Sequence, residues 1–184
     1  MKPLLRTLIA ATTVMLANGA SLTATAQTRQ APGASMSSNS QAATIHRFYE
    51  ECLNQNRLDL LPELVSANVI NHGFDGSQQT GIPAFEQSIK RTQGFFSGQH
   101  FTVDDVVSNG DKAAARWTMT ANNTVPIGGM APTGKQVTQR AVVFYRFEDG
   151  KIAEIWLQLD RLGVLQQIGV QVPGIPAPPA SAAR

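Results

Sequence analysis

The sequence is poor in the residues that build covalent or metal-bound frameworks. Cys52 is the only cysteine, and there are only three histidines among 184 residues. A single cysteine excludes an intramolecular disulfide even in an oxidising compartment. Cys52 lies on the apolar side of a predicted helix, so we expect a packed, inert thiol there rather than a nucleophile.

Several catalytic motifs are also missing. The chain contains no G-x-S-x-G nucleophile elbow, no H-E-x-x-H zinc motif and no glycine-rich phosphate loop after a strand. No His, Asp and Cys residues cluster at metal-ligand spacing. The lysines of the domain fall at positions predicted to be exposed, which disfavours a Schiff-base mechanism because that chemistry needs a desolvated lysine. We therefore expect acid–base chemistry without a metal or another cofactor.

Long apolar runs are absent after the first 26 residues. Residues 1–26 begin with Lys2 and Arg6, continue with a broken apolar run and end in "ATA", a pattern typical of a secretory signal peptide cut after Ala26. An ordinary N-terminal membrane anchor is the alternative, although the apolar run is short for a span. The sequence thus predicts a periplasmic or secreted protein with no membrane span after cleavage.

The charge of the chain also limits its partners. Lys2 and Arg6 account for the excess of 15 Lys and Arg over 13 Asp and Glu, so the cleaved chain would be formally neutral. No stretch of the sequence concentrates basic residues. Nucleic acid is therefore not expected as a partner.

Composition divides the rest of the chain into three parts. Residues 27–40 are small and polar without apolar periodicity, as in a disordered linker. Residues 172–184 form a Pro- and Ala-rich tail that we also expect to be disordered. Residues 41–171 carry the periodic patterns of one folded domain.

Helical spacing precedes strand alternation within this domain. Three amphipathic helices are predicted, over 41–55, 58–66 and 82–96. Strands are predicted over 100–108, 113–122, 137–147 and 152–160, and a short helix over 161–169. Asn109-Gly110 and Asp149-Gly150 predict two hairpin turns. Helices followed by a meander indicate an α+β fold in which the helices cover one face of an antiparallel sheet.

The last strand and the residues after it raise the main functional question. In "EIWLQLDRLGVLQQIGV", residues 154–170, three aliphatic residues alternate with Trp156, Gln158 and Asp160. If the helices cover the Trp156 side, Asp160 lies at the inner end of a partly apolar cavity, where a carboxyl group is suited to proton transfer. Alternatively, Asp160 caps the following helix, because Asp is a good N-cap residue.

Two further candidates carry ionisable groups. His72 precedes the flexible Gly73, and an imidazole there could act as an acid or base, although a lone His at a strand end is more often structural. Arg116 could orient a carbonyl or carboxylate group. It could equally pair with Asp104 or Asp105 on the neighbouring strand. The aromatic residues Trp117, Trp156 and Phe144 are expected in the core or in a pocket wall.

Several motifs resemble the SnoaL-like polyketide cyclase (ester cyclase) branch of the NTF2-like superfamily. They span about residues 45–170 and read "NVINHG", "NGDKAAARWTMT", "GGMAPTGKQV", "FYRFEDGKIAEIW" and "WLQLDRLGVLQQIG". The resemblance implies a cone of three helices wrapped by a curved sheet, usually dimerised through the outer sheet face. It places the three aliphatic residues of the last strand in packing or in the dimer interface.

The resemblance also implies roles for several residues. Asp160 would act as general acid and base in an intramolecular aldol ring closure without metal or cofactor, and His72 would be a pocket residue. Trp156 and Gln158 would line the cavity beside Asp160. A histidine usual in the family is replaced by Asn123, which could supply only a neutral hydrogen-bond donor.

Three functions follow as hypotheses. The first is an exported enzyme that performs acid–base chemistry on a small hydrophobic carbonyl compound, with Asp160 in an accessible cavity. The second is a non-catalytic protein that binds a small apolar, oxygenated molecule, with a cavity but with Asp160 engaged in capping. The third is a dimeric interaction module without a cavity. The fold alone does not decide between them.

Overall fold

Residues 38–73, 76–127, 129–171 and 173–174 are described by the computed structural model. The predicted signal peptide, most of the predicted linker and nearly all of the predicted tail lie outside these residues. Within the described ranges, no helix combines the length and the apolar character needed to cross a membrane.

The helices of the N-terminal half cover one side of the sheet. The first helix, α1, spans Ser38–Arg47 and continues into a π-helical segment, Phe48–Asn54. Its predicted apolar side is buried at Ile45, Phe48, Tyr49 and Cys52. The next helix, α2, is a single turn, Leu61–Leu64, preceded by a 3₁₀ turn, Leu58–Leu60. The third, α3, spans Ile82–Gln93 with Pro83 in its first turn, and a short α4 spans Arg161–Gln167.

Two helix boundaries differ from the sequence prediction. The second helix was expected to reach residue 66, but Val65 already has extended backbone angles and begins a strand. This fits the stiffness of its β-branched side chain, which favours extended structure. The third helix ends at Gln93, because Gly94 caps it, and Phe96 therefore lies after the helix.

The strands form one open six-stranded sheet. They are β1 Val65–His72, β2 Gln78–Thr80, β3 Ser97–Asn109, β4 Lys112–Asn122, β5 Gln136–Glu148 and β6 Lys151–Leu159. Their order across the sheet is β2-β1-β6-β5-β4-β3. All neighbouring pairs are antiparallel except β1 and β6, which run parallel. The predicted α+β architecture is confirmed, with this one parallel pair as a departure from a purely antiparallel sheet.

Both predicted hairpins are present. Glu148 pairs with Lys151 across a two-residue turn in which Asp149 and Gly150 both have positive φ angles, 49° and 81°. This is the backbone geometry that favours Asp-Gly in tight hairpins. These turns set the register between β3 and β4 and between β5 and β6.

The face assignment of β6 differs from the sequence prediction. Ile155, Leu157 and Leu159 point to the inner side of the sheet, which the helices cover, whereas Trp156 points to the outer side. On the outer side the Trp156 indole stacks on the His72 ring, with 5.1 Å between the ring centroids and 5° between their planes. The alternation was predicted correctly, but the side facing the cavity was wrong. The aliphatic set faces inward because it packs with the apolar core.

Candidate functional site

An apolar cavity of about 240 Å³ lies between the helices and the inner face of the sheet. It is lined by side chains from the π-helical continuation of α1, from α3 and α4, and from five strands. The largest apolar contributors include Phe48, Phe85, Phe96, Phe101, Leu157 and Leu165. Pockets of this character, apolar with a few polar groups, are the usual sites for small molecules.

A buried polar cluster forms one wall of the cavity. The hydroxyl oxygens of Tyr49 and Tyr145 are 2.8 Å apart and share a hydrogen bond. Burial raises the pKa of both phenols above the ordinary value. The Trp117 indole, only 3% exposed, lies beside Tyr49 and slightly opposes the rise of its pKa. Its N–H makes no hydrogen bond with any residue that the structure describes. The cluster is neutral because the raised pKa keeps both phenols protonated, and the phenol and indole groups are all hydrogen-bond donors.

A second polar group lies where β1 faces α3. Asn71 and Ser88 both line the cavity, and Asn71 Nδ2 is 3.5 Å from Ser88 Oγ. Asn71 Nδ2 also donates a hydrogen bond of 2.7 Å to Gln79 Oε1 on β2. On β5, Gln139 is an amide among otherwise apolar inward residues and also lines the cavity.

The remaining polar residues lie nearer the surface. Arg91 and Arg161 line the cavity and are exposed. Gln99 is held by the chain itself, because its Nε2 donates to two backbone carbonyls at the end of α3 and to the carbonyl of Phe96 just after it. Among the described residues that line the cavity, none is an Asp, Glu, His or Lys. The wall therefore offers neutral donors and acceptors, with cations at its edge.

Asp160 lies outside this wall. Its Oδ1 accepts a hydrogen bond of 2.8 Å from the backbone N–H of Gly163, which makes Asp160 the N-cap of α4. The residue is exposed. Its neighbours Leu159 and Arg161 do line the cavity. Of the two positions considered from the sequence, the carboxyl group occupies the capping one.

His72 belongs to an ionic cluster on the outer face of the sheet. Its Nε2 is 2.8 Å from Glu154 Oε1, and Arg146 Nε donates to Glu154 Oε2 at 3.1 Å. These contacts, that with His72 first, lower the pKa of the Glu154 carboxyl despite some desolvation. The imidazole is thus paired and stacked on Trp156, away from the cavity.

The other predicted site residues also lie elsewhere. Arg116 pairs with Asp104 at 3.2 Å on the neighbouring strand, which was the alternative considered for it. Asn123 is buried and organises its own loop, because its side chain bonds to Val125 O and to the backbone and hydroxyl of Thr133. Phe144 is 54% exposed on the outer face, as its strand position requires.

Trp117 is thus the predicted site residue that the structure brings to the cavity. Asn71, Ser88 and Gln139 were not predicted. A signal for two of them exists in the sequence, since Asn71 alternates with His72 on β1, and Gln139 shares the parity of buried residues on β5. No sequence pattern identifies Ser88, because its place in the cavity wall depends on how α3 packs against β1.

No arrangement suited to a metal ion occurs in the part of the chain that the structure describes, where no three His, Cys, Asp or Glu side chains converge. Hydrogen-bonding amides, hydroxyls and phenols are poor ligands for transition metals compared with imidazole or thiolate. What the cavity can do chemically is enclose an apolar body and hydrogen-bond to its oxygen atoms.

Comparison with known proteins relates this fold to one family. A family model described as SnoaL-like polyketide cyclase matches residues 43–168, more than half of the chain. A comparison with curated protein sequences found no match.

Solved structures share the architecture. IdmH from Streptomyces antibioticus, a candidate polyketide cyclase, is 27% identical, with a TM-score of 0.64 over 71% of this chain and 99% of that one. TsrD from Streptomyces laurentii is 25% identical, with a TM-score of 0.64 over 73% and 98%. A candidate SnoaL-like polyketide cyclase from Jannaschia sp. CCS1, at 19% identity, has a TM-score of 0.65 over 73% and 95%, and supports the fold alone. The predicted NTF2-like fold is confirmed.

Proposed function

The chain belongs to the SnoaL-like polyketide cyclase family, and from this premise we propose that its cavity binds a small, mostly apolar molecule that carries neutral oxygen groups. The composition of the cavity wall carries the proposal. Aromatic and aliphatic side chains dominate it, and amides, hydroxyls and phenols interrupt them. Such a wall favours burial of apolar surface and allows a few oriented hydrogen bonds.

The size of the cavity supports a compact ligand. Its volume of about 240 Å³ is below the range of about 300–1,000 Å³ typical for drug-sized molecules. One or two fused rings with small substituents fit this space better than a long chain. No cofactor is part of the proposal.

Binding without chemistry is the function that the geometry favours. A general acid or base must lie within hydrogen-bond reach of the reacting group and titrate near the working pH. The described cavity wall has no carboxylate or imidazole, and burial raises the pKa of its two phenols. Asp160 and His72, the expected catalytic pair, are engaged in a helix cap and in a hydrogen bond with Glu154 on the outer face.

Family membership favours a second candidate, cyclase-type turnover. Asp160 stands between Leu159 and Arg161, which both line the cavity, so release of its cap would give it a short path inward. In this alternative Asp160 would exchange a proton with the ligand carbonyl while Trp117 and the tyrosine pair hold the substrate. Loss of turnover in Asp160→Asn, with ligand binding retained, would support it.

A matched pair of variants on β6 tests the binding proposal. Leu157 lines the cavity and its neighbour Gln158 is exposed on the opposite face. Leu157→Trp should fill the cavity and weaken binding of 1-naphthol about tenfold or more in isothermal titration calorimetry, whereas Gln158→Trp should leave binding unchanged. Equal binding by both variants, or no binding by the unmodified protein, would reject the proposal. Recovery of the ligand unaltered separates binding from turnover.

The proposed setting is outside the cytoplasm, as the first 26 residues predict. Expression of the full chain in a bacterium, followed by N-terminal sequencing of the periplasmic fraction, should find Gln27 as the first residue. Retention of Met1 in the cytoplasmic fraction would contradict the export proposal.

We also propose that a second copy of the chain covers the outer face of the sheet. Phe144 and Val142 are large apolar residues exposed there, at 54% and 42%, and apolar sheet surfaces of this kind mark association sites. Light scattering should give a dimer mass, and Phe144→Arg should give a monomer that still binds the naphthalene probe. A monomeric unmodified protein would refute this.

A further inference from the structure

Two arginines are the only charged residues in the cavity wall that the structure describes. They are Arg91, in the last turn of α3, and Arg161, the first residue of α4. Both are exposed, which places them at the mouth of the cavity and not in its depth. Since no described carboxylate in the wall opposes them, they make the electrostatic potential at the mouth positive.

The helix dipole accounts for only one of these two positions. A cation in the last turn of a helix is favourable, so Arg91 suits the end of α3. A cation in the first turn is unfavourable for the same reason, yet Arg161 begins α4. Helix stability therefore does not explain why an arginine stands at this place beside the cavity.

No carboxylate that the structure describes neutralises Arg91. Arg116 and Arg146 each form a salt bridge with an Asp or Glu side chain, whereas Arg91 has no described carboxylate within salt-bridge distance. The acidic side chain nearest to it along α3, Glu86, pairs with Lys90. Arg91 is therefore available to an anion that arrives with the ligand.

An exposed aromatic side chain also lines the mouth. Phe95 lies two residues after the end of α3 and is 41% exposed. Among the large apolar residues exposed in the described part of the chain, it is the one that lines the cavity. A ligand that reached from the interior to the mouth would remove this ring from water. The mouth thus offers apolar and cationic contacts together.

We propose that Arg91 and Arg161 bind a carboxylate group of the ligand at the mouth of the cavity, while the apolar body of the ligand fills the interior. This inference rests on the proposed function and adds one anionic group to the ligand. Guanidinium groups form charge-assisted hydrogen bonds with carboxylate oxygens. The ligand class is thus an aromatic or alicyclic carboxylic acid.

The charges of the wall also set the orientation of the ligand. A carboxylate in the interior would lose its hydration among aromatic and aliphatic side chains, and no described cation lies there to compensate it. At the mouth the carboxylate keeps part of its hydration and gains the two arginines. An ammonium group at the mouth would be repelled by the same two side chains.

Two probes of nearly the same shape test the charge preference. 1-Naphthylacetate carries a carboxylate at neutral pH, and 1-naphthylacetamide is its neutral counterpart. In isothermal titration calorimetry of the unmodified protein in dilute buffer, the carboxylate should bind about fivefold more tightly than the amide. Because salt screens exposed charges, this preference should vanish in about 1 M NaCl.

Variants of the two arginines should remove the preference and leave the cavity intact. Arg91→Gln and Arg161→Gln should each weaken 1-naphthylacetate binding about twofold and leave 1-naphthylacetamide binding unchanged, which also shows that each variant is folded. Arg91→Lys keeps the charge and should retain most of the preference. Arg140→Gln is the matched control, because Arg140 is also exposed but does not line the cavity. It should leave the binding of both probes unchanged.

The outcomes separate this inference from the proposed function. If neither probe nor 1-naphthol binds the unmodified protein, the proposed function fails, and the carboxylate site fails with it. If 1-naphthylacetate binds no more tightly than 1-naphthylacetamide, or if the preference survives in a double variant with Arg91→Gln and Arg161→Gln, the cavity binds ligands without a carboxylate site. If Arg140→Gln lowers the preference as much as Arg91→Gln, the preference reflects the overall charge of the protein and the inference is wrong.

Discussion

The Asp160 carboxylate accepts a hydrogen bond from the backbone N–H of Gly163, with 2.8 Å between oxygen and nitrogen. The bond satisfies one of the free N–H groups at the start of α4. Gly163 permits it because it has no side chain, since a Cβ built there would collide with Asp160 Oδ2. Asp160, the catalytic candidate of the sequence analysis, is therefore the N-cap of α4 in the structure.

Two substitutions of Asp160 should distinguish the effect of its capping hydrogen bond on stability from the effect of its negative charge. Asp160→Ala should lower the free energy of unfolding by about 1 kcal/mol, whereas Asp160→Asn should change it by only a few tenths of a kcal/mol, because Asn caps helices as well as Asp does. Urea unfolding of both variants measures this. Equal losses in the two variants would show that the negative charge, not the cap, stabilises the native state.

A double-mutant cycle with Gly163 should detect the contact itself. Gly163→Ala should fail to stabilise the unmodified protein, because the new methyl group displaces the Asp160 carboxylate from its cap. In the Asp160→Ala background the same change should stabilise by up to about 1 kcal/mol, because Ala has the higher helix propensity. Additive effects would contradict the close fit of these two residues.

The outer-face ion cluster should make stability depend on pH through Glu154. Its hydrogen bond with His72, and then that with Arg146, lowers the pKa of the Glu154 carboxyl in the folded state. A lowered pKa gives stability that is present above the unfolded value of about 4.3 and is lost as pH falls through the folded value. The unmodified protein should therefore lose its advantage over Glu154→Gln as the pH falls below about 4.3.

Urea unfolding at several pH values measures this advantage. Glu148→Gln is the matched control, because Glu148 also pairs with Arg146 but is mostly exposed. We expect a smaller effect there, as for other solvent-exposed pairs. A constant difference between the unmodified protein and Glu154→Gln across this range would contradict the coupling.

Local patterns in the sequence predict most of the fold. Helical spacing identified the buried side of α1 and its π-helical continuation through Ile45 and Cys52, and Asp149-Gly150 identified the hairpin between β5 and β6. These features depend on residues close in sequence, where backbone preference and periodicity act directly. Predictions of this kind therefore do not require knowledge of how the elements pack together.

The candidate site depends on contacts that no local pattern contains. Alternation on β6 separates Trp156 from Leu157, but it does not say which of the two faces the helices. That choice follows from the packing of the aliphatic residues of β6 with the apolar core, and the parallel pairing of β1 with β6 then sets His72 opposite Trp156 on the outer side. Asn71 and Ser88 meet for the same reason, because they lie on different elements that only the folded chain brings together.

Cys52 should be unreactive until the chain unfolds. The residue is fully buried, and this burial raises the pKa of its thiol from 9.0 to about 11. Since the thiolate is the reactive form, a disulfide reagent at neutral pH should modify no thiol in the native protein and one in denaturant. Rapid modification of the native protein would show that the π-helical segment after α1 opens locally or that the thiol is accessible.

The two tyrosines should report alkaline unfolding. Tyr49 and Tyr145 are the only tyrosines of the chain, and burial raises the pKa of both. A raised folded pKa gives stability that is present below the unfolded value of about 10 and is lost as pH rises through the folded value. At about pH 11 the native protein should therefore show no tyrosinate absorbance, while the denatured chain shows both phenolates. At higher pH the absorbance should rise together with the loss of circular dichroism. Phenolate formation in a protein that keeps its native dichroism would mean that water reaches the Tyr49 and Tyr145 pair through the cavity.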